Sequence, residues 1–152
     1  MPNWCKGTLK VRGKTEDLKK FILEGLQPVT FLGHLCKPLE PSEDSSWWEV
    51  SSNGTLWIEN TRRGFVEDLY VCLDSDDDIN TICLNSKFAW GIDATELQNT
   101  CIKYDVDMKI YAFERGMCFN QDIEIVDGSI IRDDEITFDD YEWECICPNI
   151  GG

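Results

Sequence analysis

The clearest indication of the fold lies in residues 3–28, which read NWCKGTLKVRGKTEDLKKFILEGLQP. Residues 3–12 alternate between apolar or small side chains and basic or hydroxyl side chains, which is typical of a half-buried β-strand. Gly13 ends this pattern, and Thr15 is the predicted N-cap of a helix with apolar residues at helical spacing: Leu18, Phe21, Ile22 and Leu26. The chain is therefore predicted to open with a strand followed by a helix.

Turn-forming residues further along predict several short strands and one more helix. Asn53-Gly54 lies between two apolar runs and predicts a β-hairpin, and Asp127-Gly128 predicts another. Asp93 followed by Glu96 predicts the start of a helix with apolar positions up to Tyr104. The runs 108–113 and 117–125 are strand-like, and residues 27–46 are predicted to form a loop. This pattern predicts an α+β fold with an antiparallel sheet.

The charges are unevenly distributed along the chain. There are 29 Asp+Glu against 14 Lys+Arg, a formal net charge of -15. Residues 1–37 hold seven basic and three acidic groups (net +4), whereas residues 38–152 hold seven basic and 26 acidic groups (net -19). Because phosphate backbones are bound by clustered basic groups, we expect no direct binding of nucleic acid. An exception would arise if the early basic residues share one face: Lys6, Lys10, Arg12, Lys14, Lys19 and Lys20.

The cysteines and the apolar runs predict a cellular compartment. No apolar run approaches the ~18 residues that a membrane span needs, and the opening residues lack a signal-peptide pattern. Most of the eight cysteines lie in apolar stretches, where reduced, buried thiols are typical. The sequence therefore predicts a soluble protein of the cytoplasm with no membrane contact.

Candidate catalytic and metal-binding residues are few. His34 is the only histidine, and no nucleophile motif surrounds it. The acidic run Asp74–Asp78 has neither the glycine nor the spaced closing glutamate of a calcium loop. We expect no catalytic residues, no metal site and no cofactor. A small metal- or nucleotide-handling enzyme remains an alternative, because many carboxylates are present.

The opening Met1-Pro2-Asn3-Trp4-Cys5, with its alternating strand ending at Gly13, resembles the YubB-like family of phage and plasmid proteins. Further similarities lie at residues 31–41, at 53–57, at Phe88-Ala89-Trp90 and at 108–128. The resemblance implies a ferredoxin-like βαββαβ core with two helices over residues 1–131. Residues 132–152 would then form an acidic C-terminal extension, with extra strands, packed on the same domain. The resemblance implies a mobile element inside a host bacterial cell and no known catalytic residues.

The densest acidic region spans residues 122–144, and its part after residue 132 is the predicted binding surface. Its candidate residues are Asp133, Asp134, Glu135, Asp139, Asp140, Glu142, Trp143 and Glu144. Ile136, Phe138 and Tyr141 interleave with them, so one face of an extended segment could pack while the other presents carboxylates.

Together with the family resemblance and the lack of a catalytic set, these acids predict a non-enzymatic inhibitor of a host defence nuclease, of the anti-CRISPR or anti-restriction type. It would occupy a basic nucleic-acid-binding groove as a mimic of nucleic acid. Two further alternatives remain open: an acidic surface that only confers solubility, and a single-strand nucleic-acid module that stacks bases on tryptophans.

Overall fold

The chain folds into one antiparallel sheet with its two longer helices on one face. A computed structural model describes all residues from Met1 to Gly152. The strands are β1 (Trp4–Lys14), β2 (Leu26–Val29), β3 (Ser42–Glu43), β4 (Trp47–Ile58), β5 (Gly64–Asp74), β6 (Ile79–Ala89), β7 (Asp107–Glu114), β8 (Phe119–Val126) and β9 (Ser129–Thr137). The helices are α1 (Thr15–Lys20), α2 (Ala94–Tyr104) and α3 (Tyr141–Glu144), and a π-helical turn (Phe21–Gly25) continues α1.

The strand order across the sheet is β2-β4-β5-β6-β1-β7-β8-β9, and β3 pairs with β4. Every pair is antiparallel. β6 runs antiparallel to both β5 and β1, so β1 and β5 are parallel to each other. β1 in turn runs antiparallel to both β6 and β7, so β6 and β7 are parallel to each other. The α+β class and the large antiparallel sheet are therefore confirmed, with nine strands in place of the four in a βαββαβ core.

The core lies between the helices and one face of the sheet. Leu9 and Val11 of β1 are fully buried there, together with Leu18, Phe21 and Leu97 from the helical segments. Full burial of each such side chain contributes roughly 1.5–3 kcal/mol, so this single apolar layer dominates the folding energy. The alternate residues of β1 point to the opposite face, where no helix packs against the central strands.

The prediction that Thr15 caps α1 is wrong. Lys14 occupies the N-cap position and makes no capping hydrogen bond with its side chain. Thr15 is buried instead: its hydroxyl donates to the carbonyl of Asp77, and its backbone N–H donates to the carbonyl of Asp78 at 3.0 Å. The loop between β5 and β6 thus satisfies these polar groups, because it lies against the start of the helix.

The hairpin predicted at Asn53-Gly54 is also wrong, since β4 continues through it. β5 pairs with β4 on both sides, placing Ser52 opposite Leu69 and Thr55 opposite Glu67. Asn53 and Gly54 therefore form a bulge within one long strand. The backbone bonds to β5 outweigh the local turn preference of the Asn-Gly pair.

The second predicted hairpin and the second predicted helix are present. Asp127 and Gly128 have φ values of 50° and 71° and connect β8 to β9. Asp93 is the N-cap of α2 and accepts a hydrogen bond from the N–H of Thr95 at 2.9 Å. Glu96 does not return to the N-cap; it accepts from the backbone N–H of Arg62 at 3.0 Å and so joins α2 to the turn before β5.

Two further features complete the fold. β6 was not predicted from the sequence, although it pairs with β1 along its full length. β9 runs continuously past position 132, so the acidic residues begin inside a strand of the sheet. None of the helices combines the length and the apolar character needed to cross a membrane.

Candidate interaction surface

The predicted acidic residues begin on β9, the last strand of the sheet. β9 pairs only with β8, with Asp134 opposite Asp122 and Glu135 opposite Gln121. Asp133, Asp134 and Glu135 are all exposed, and no residue of β9 is buried. Ile130 packs against the apolar core and Ile136 is half-buried, so the apolar side chains are only partly covered on β9. Its carboxylates reach solvent on both faces of the sheet.

The remaining predicted residues lie on a short helix rather than on a strand. Asp140 is the N-cap of α3 and accepts from the N–H of Trp143 at 3.3 Å, and Asp139 donates its N–H to Glu144 at 3.2 Å. Glu142 forms an ion pair with Arg115 at 2.8 Å. The predicted alternation beyond Thr137 is thus replaced by a capped helical turn.

Tyr141 explains why the chain turns at this point. Its ring is buried, and its hydroxyl donates to Oδ1 of Asn120 on β8 at 2.7 Å. Cys145 is buried beside them and accepts from Nδ2 of Asn120 at 3.5 Å. These two anchors hold α3 against the sheet while Trp143, which is 87% exposed, extends into solvent.

The acidic edge is the name used below for the eight predicted residues on β9 and around α3: Asp133, Asp134, Glu135, Asp139, Asp140, Glu142, Trp143 and Glu144. Among its carboxylates only Glu142 has a cationic partner within 4.0 Å. The nearby Arg132 binds Asp122 of β8 instead, at 3.1 Å. The acidic edge therefore carries uncompensated negative charge, which attracts a cationic surface.

The tryptophans named by the family resemblance have different environments. Trp4 is half-buried, with its ring centroid 6.1 Å from that of Phe65, and Trp57 donates its indole N–H to the carbonyl of Thr61 at 2.9 Å. Trp90 differs, because it is 54% exposed, has a φ of 63° and stacks on the guanidinium of Arg63 at 5.1 Å. Packing accounts for Trp4 and Trp57 but not for Trp90.

Trp90 borders a cleft of about 390 Å³ between the end of β6 and the start of α2. Arg62 and Arg63 lie at this cleft together with acidic groups of Asp93, Glu96 and Glu135. The mixture of charges gives the cleft no clear preference for an anion or a cation. We assign it no ligand.

The other sequence candidates lie apart from the acidic edge. His34 is exposed in the loop after β2, and Asp74–Asp78 connects β5 to β6, where Asp74 accepts from the N–H of Asp76 at 2.9 Å. No group of three or more His, Cys, Asp or Glu side chains is arranged to hold a metal ion. All eight cysteines are free thiols. None of these residues contributes to the surface described above.

Comparison with family models, with curated proteins and with solved structures found no match for this chain.

Proposed function

We propose that this chain is a non-enzymatic interaction protein whose acidic edge occupies a basic groove on another protein. The observation that carries the proposal is the position of β9: it is the last strand, exposed on both faces, and its three adjacent carboxylates have no cationic partner. A groove that holds nucleic acid is lined by Lys and Arg, which such an array complements. Long-range attraction between the two surfaces speeds their association.

The target that fits this chemistry is a host defence nuclease, and the chain would then be an inhibitor of the anti-CRISPR or anti-restriction type. The groove of such a nuclease must be strongly basic because it holds a nucleic-acid backbone. The resemblance of the opening residues to phage and plasmid proteins supports a setting inside a host bacterial cell. Trp143 supplies an exposed aromatic group within the acidic edge, and aromatic side chains are frequent anchors at interfaces.

We further propose that the four central strands are a ferredoxin-like core. Two features support this assignment. β1 and β5 are parallel with β6 between them, and β6 and β7 are parallel with β1 between them. A helical segment follows β1 and another follows β6, as in two interlocked split βαβ units. In this assignment β2–β4 extend one edge, and β8 and β9 extend the other.

A quadruple variant tests the proposed function. Asp133, Asp134, Asp139 and Asp140 are changed to Asn, which removes four charges and keeps an oxygen at residue 140 to cap α3. Partners captured from host lysate are identified and purified, and their association rates are measured at several salt concentrations. We expect the variant to associate more slowly and with a weaker dependence on salt.

The matched control changes Asp74, Asp76, Asp77 and Asp78 to Asn, in the exposed loop between β5 and β6. It alters the net charge by the same amount at a different place. If both variants weaken binding equally, only the total charge matters. If the acidic-edge variant binds a partner as the unmodified chain does, the contact lies elsewhere and the proposal is wrong.

A further inference from the structure

The face of the sheet opposite α1 and α2 carries basic and aromatic side chains. On β1 the residues Lys6, Thr8, Lys10 and Arg12 alternate with the buried Leu9 and Val11 and so share this face. The pairing of β1 with β7 brings Lys109, Tyr111 and Phe113 to the same face. We call this surface the lysine face and define it by six residues: Lys6, Lys10, Arg12, Lys109, Tyr111 and Phe113. Lys6, Lys10 and Arg12 therefore share one face, which is the condition under which the sequence predicts an exception to the lack of nucleic-acid binding.

The register of the sheet places lysines directly opposite one another. Lys10 lies opposite Lys109, and Lys6 lies opposite Lys87 of β6. Like charges in such cross-strand pairs destabilise a sheet. Lys87 is neutralised by an ion pair with Glu67, whereas Lys6 and Lys10 have no carboxylate within 4.0 Å in a chain that has 29 acidic residues. An unfavourable arrangement at the centre of the sheet points to an anion that relieves it.

The other basic side chains of the lysine face are partly neutralised by carboxylates. Arg12 binds Asp107 at 2.9 Å, and Lys109 lies 3.6 Å from Glu124 of β8. These pairs lie toward one end of the face. The uncompensated positive charge is thus concentrated on Lys6 and Lys10, which flank Thr8.

Aromatic rings lie beside these lysines. Tyr111 is opposite Thr8, and Phe113 is opposite Lys6. The two rings meet edge to face with centroids 5.2 Å apart, and Tyr111 is 38% exposed. A groove of about 430 Å³ is lined by these rings, by the lysines and by Ile150. Nucleic-acid bases stack on such rings while their phosphates contact neighbouring lysines.

We propose that the lysine face binds single-stranded nucleic acid, independently of the acidic edge. A single strand is favoured over a duplex because only unpaired bases can reach Tyr111. An acidic peptide would neutralise the lysines but would leave the aromatic rings without a stacking partner. The phosphate contacts of the lysines make the binding dependent on salt, and the net charge of -15 weakens it by repulsion.

The test uses fluorescent oligomers of uridine and of deoxythymidine, about ten nucleotides long, and measures anisotropy at several salt concentrations from about 50 mM upward. Lys6→Gln with Lys10→Gln should weaken binding. It should also reduce the steepness of the salt dependence by about 1.4, since each lost phosphate contact on a single strand contributes about 0.7. The control is Lys20→Gln with Lys37→Gln, which removes two exposed lysines that also lack ion pairs. The RNA and DNA arms show which polymer is preferred.

A second pair of variants tests the aromatic contact. Tyr111→Ala should weaken binding by about fivefold or more, because stacking on an aromatic ring is lost. Tyr111→Phe should bind as the unmodified chain does. Tyr70→Ala, which removes an exposed tyrosine of β5, should have no effect. Thermal unfolding of each variant verifies that the fold is intact.

Four results would overturn the proposal. The first is no binding of either oligomer at about 100 µM protein and low salt, and the second is equal weakening of binding by both pairs of lysine substitutions. The third is duplex binding as tight as single-strand binding, and the fourth is self-association that the Lys6 and Lys10 changes abolish. The last would mean that the lysine face contacts a second copy of this chain. None of these four results tests the proposed role of the acidic edge, which is tested by the variants of the acidic edge itself.

Discussion

Lys10 of β1 lies directly opposite Lys109 of β7 on the face of the sheet away from α1 and α2. The two lysines lie on inner strands of the sheet, in a chain whose net charge is -15. Strand pairing brings the two lysines together, because 98 residues separate them in the sequence. The same pairing leads to the first prediction.

Lys10→Glu should stabilise the protein by about 0.5 kcal/mol, because it replaces a like-charge cross-strand pair by an attractive one. The measurement is urea unfolding at low salt. Lys20→Glu is the control: it places an acid in the last turn of α1, where the helix dipole disfavours it, and should be slightly destabilising. A loss of stability in Lys10→Glu would show that the lysine pair is not repulsive.

Glu114 should be important for stability, because this fully buried carboxylate accepts hydrogen bonds from the N–H groups of Gly116 at 3.0 Å and Met117 at 2.5 Å. Glu114→Ala leaves both donors unsatisfied and should destabilise the fold by about 3 kcal/mol. Glu114→Gln retains one acceptor and should lose roughly half as much. Urea unfolding compares them. Equal stability of the Ala variant and the unmodified chain would contradict the role of this carboxylate.

Glu59 should make stability depend on acidity. Burial alone would raise the pKa of Glu59, but hydrogen bonds from Lys103 and Tyr104 outweigh it and hold this pKa below its ordinary value. The unfolded chain then binds the proton more readily, so the stabilisation is present above about pH 4.3 and is lost as pH falls through the folded pKa. Glu59→Gln should therefore lose less stability on acidification than the unmodified chain.

The unfolding free energy is measured by urea titration between about pH 6 and pH 3. Glu43→Gln serves as the control, since Glu43 is exposed on β3. A Glu59→Gln profile that parallels that of the unmodified chain would show that the contacts of Glu59 do not contribute. Tyr104 acts at the opposite end of the pH scale: burial and its hydrogen bond to Glu59 raise its pKa, so its contribution is lost as pH rises above about 10.

The thiols should fall into distinct classes of reactivity. Cys36, Cys72, Cys83 and Cys147 are exposed and should react rapidly with a thiol reagent in the native protein. Burial, followed by the charges of nearby carboxylates, raises the pKa of Cys5 to about 12, and burial likewise raises that of Cys101 to about 12. These two should react only on unfolding. In denaturant without reductant all eight should react, and fewer would indicate disulfides.

Gly7→Ala should be strongly destabilising, by about 2 kcal/mol. An added Cβ at Gly7 would lie 2.4 Å from the backbone carbonyl oxygen of Tyr111, so β1 and β7 would have to separate. Gly54→Ala is the matched control, because the nearest atom to its Cβ would be Oγ of Ser52 at 3.7 Å. Urea unfolding of the two variants compares these sites. Similar stability of the two would show that the close approach at Gly7 can relax.

The acidic edge shows where sequence reasoning succeeded and where it stopped. A run of carboxylates predicts exposure, and Asp133 to Glu144 are exposed wherever an acid stands. The extended conformation predicted for the whole run was wrong, because Tyr141 has a buried partner in Asn120. That partner lies 21 residues away, and no local pattern identifies it.

Local periodicity by itself determined β1, the α2 helix and the turn at Asp127-Gly128, since alternation, capping and turn chemistry act over a few residues. The tertiary structure alone decided the continuity of β4 and the burial of Thr15 against the loop before β6, because β5 and the Asp77–Asp78 backbone supply hydrogen bonds that outweigh local preference. It also decided the lysine face. A strand's own sequence shows which residues share a side, but only the register with β7 places Lys109 and Tyr111 beside Lys10.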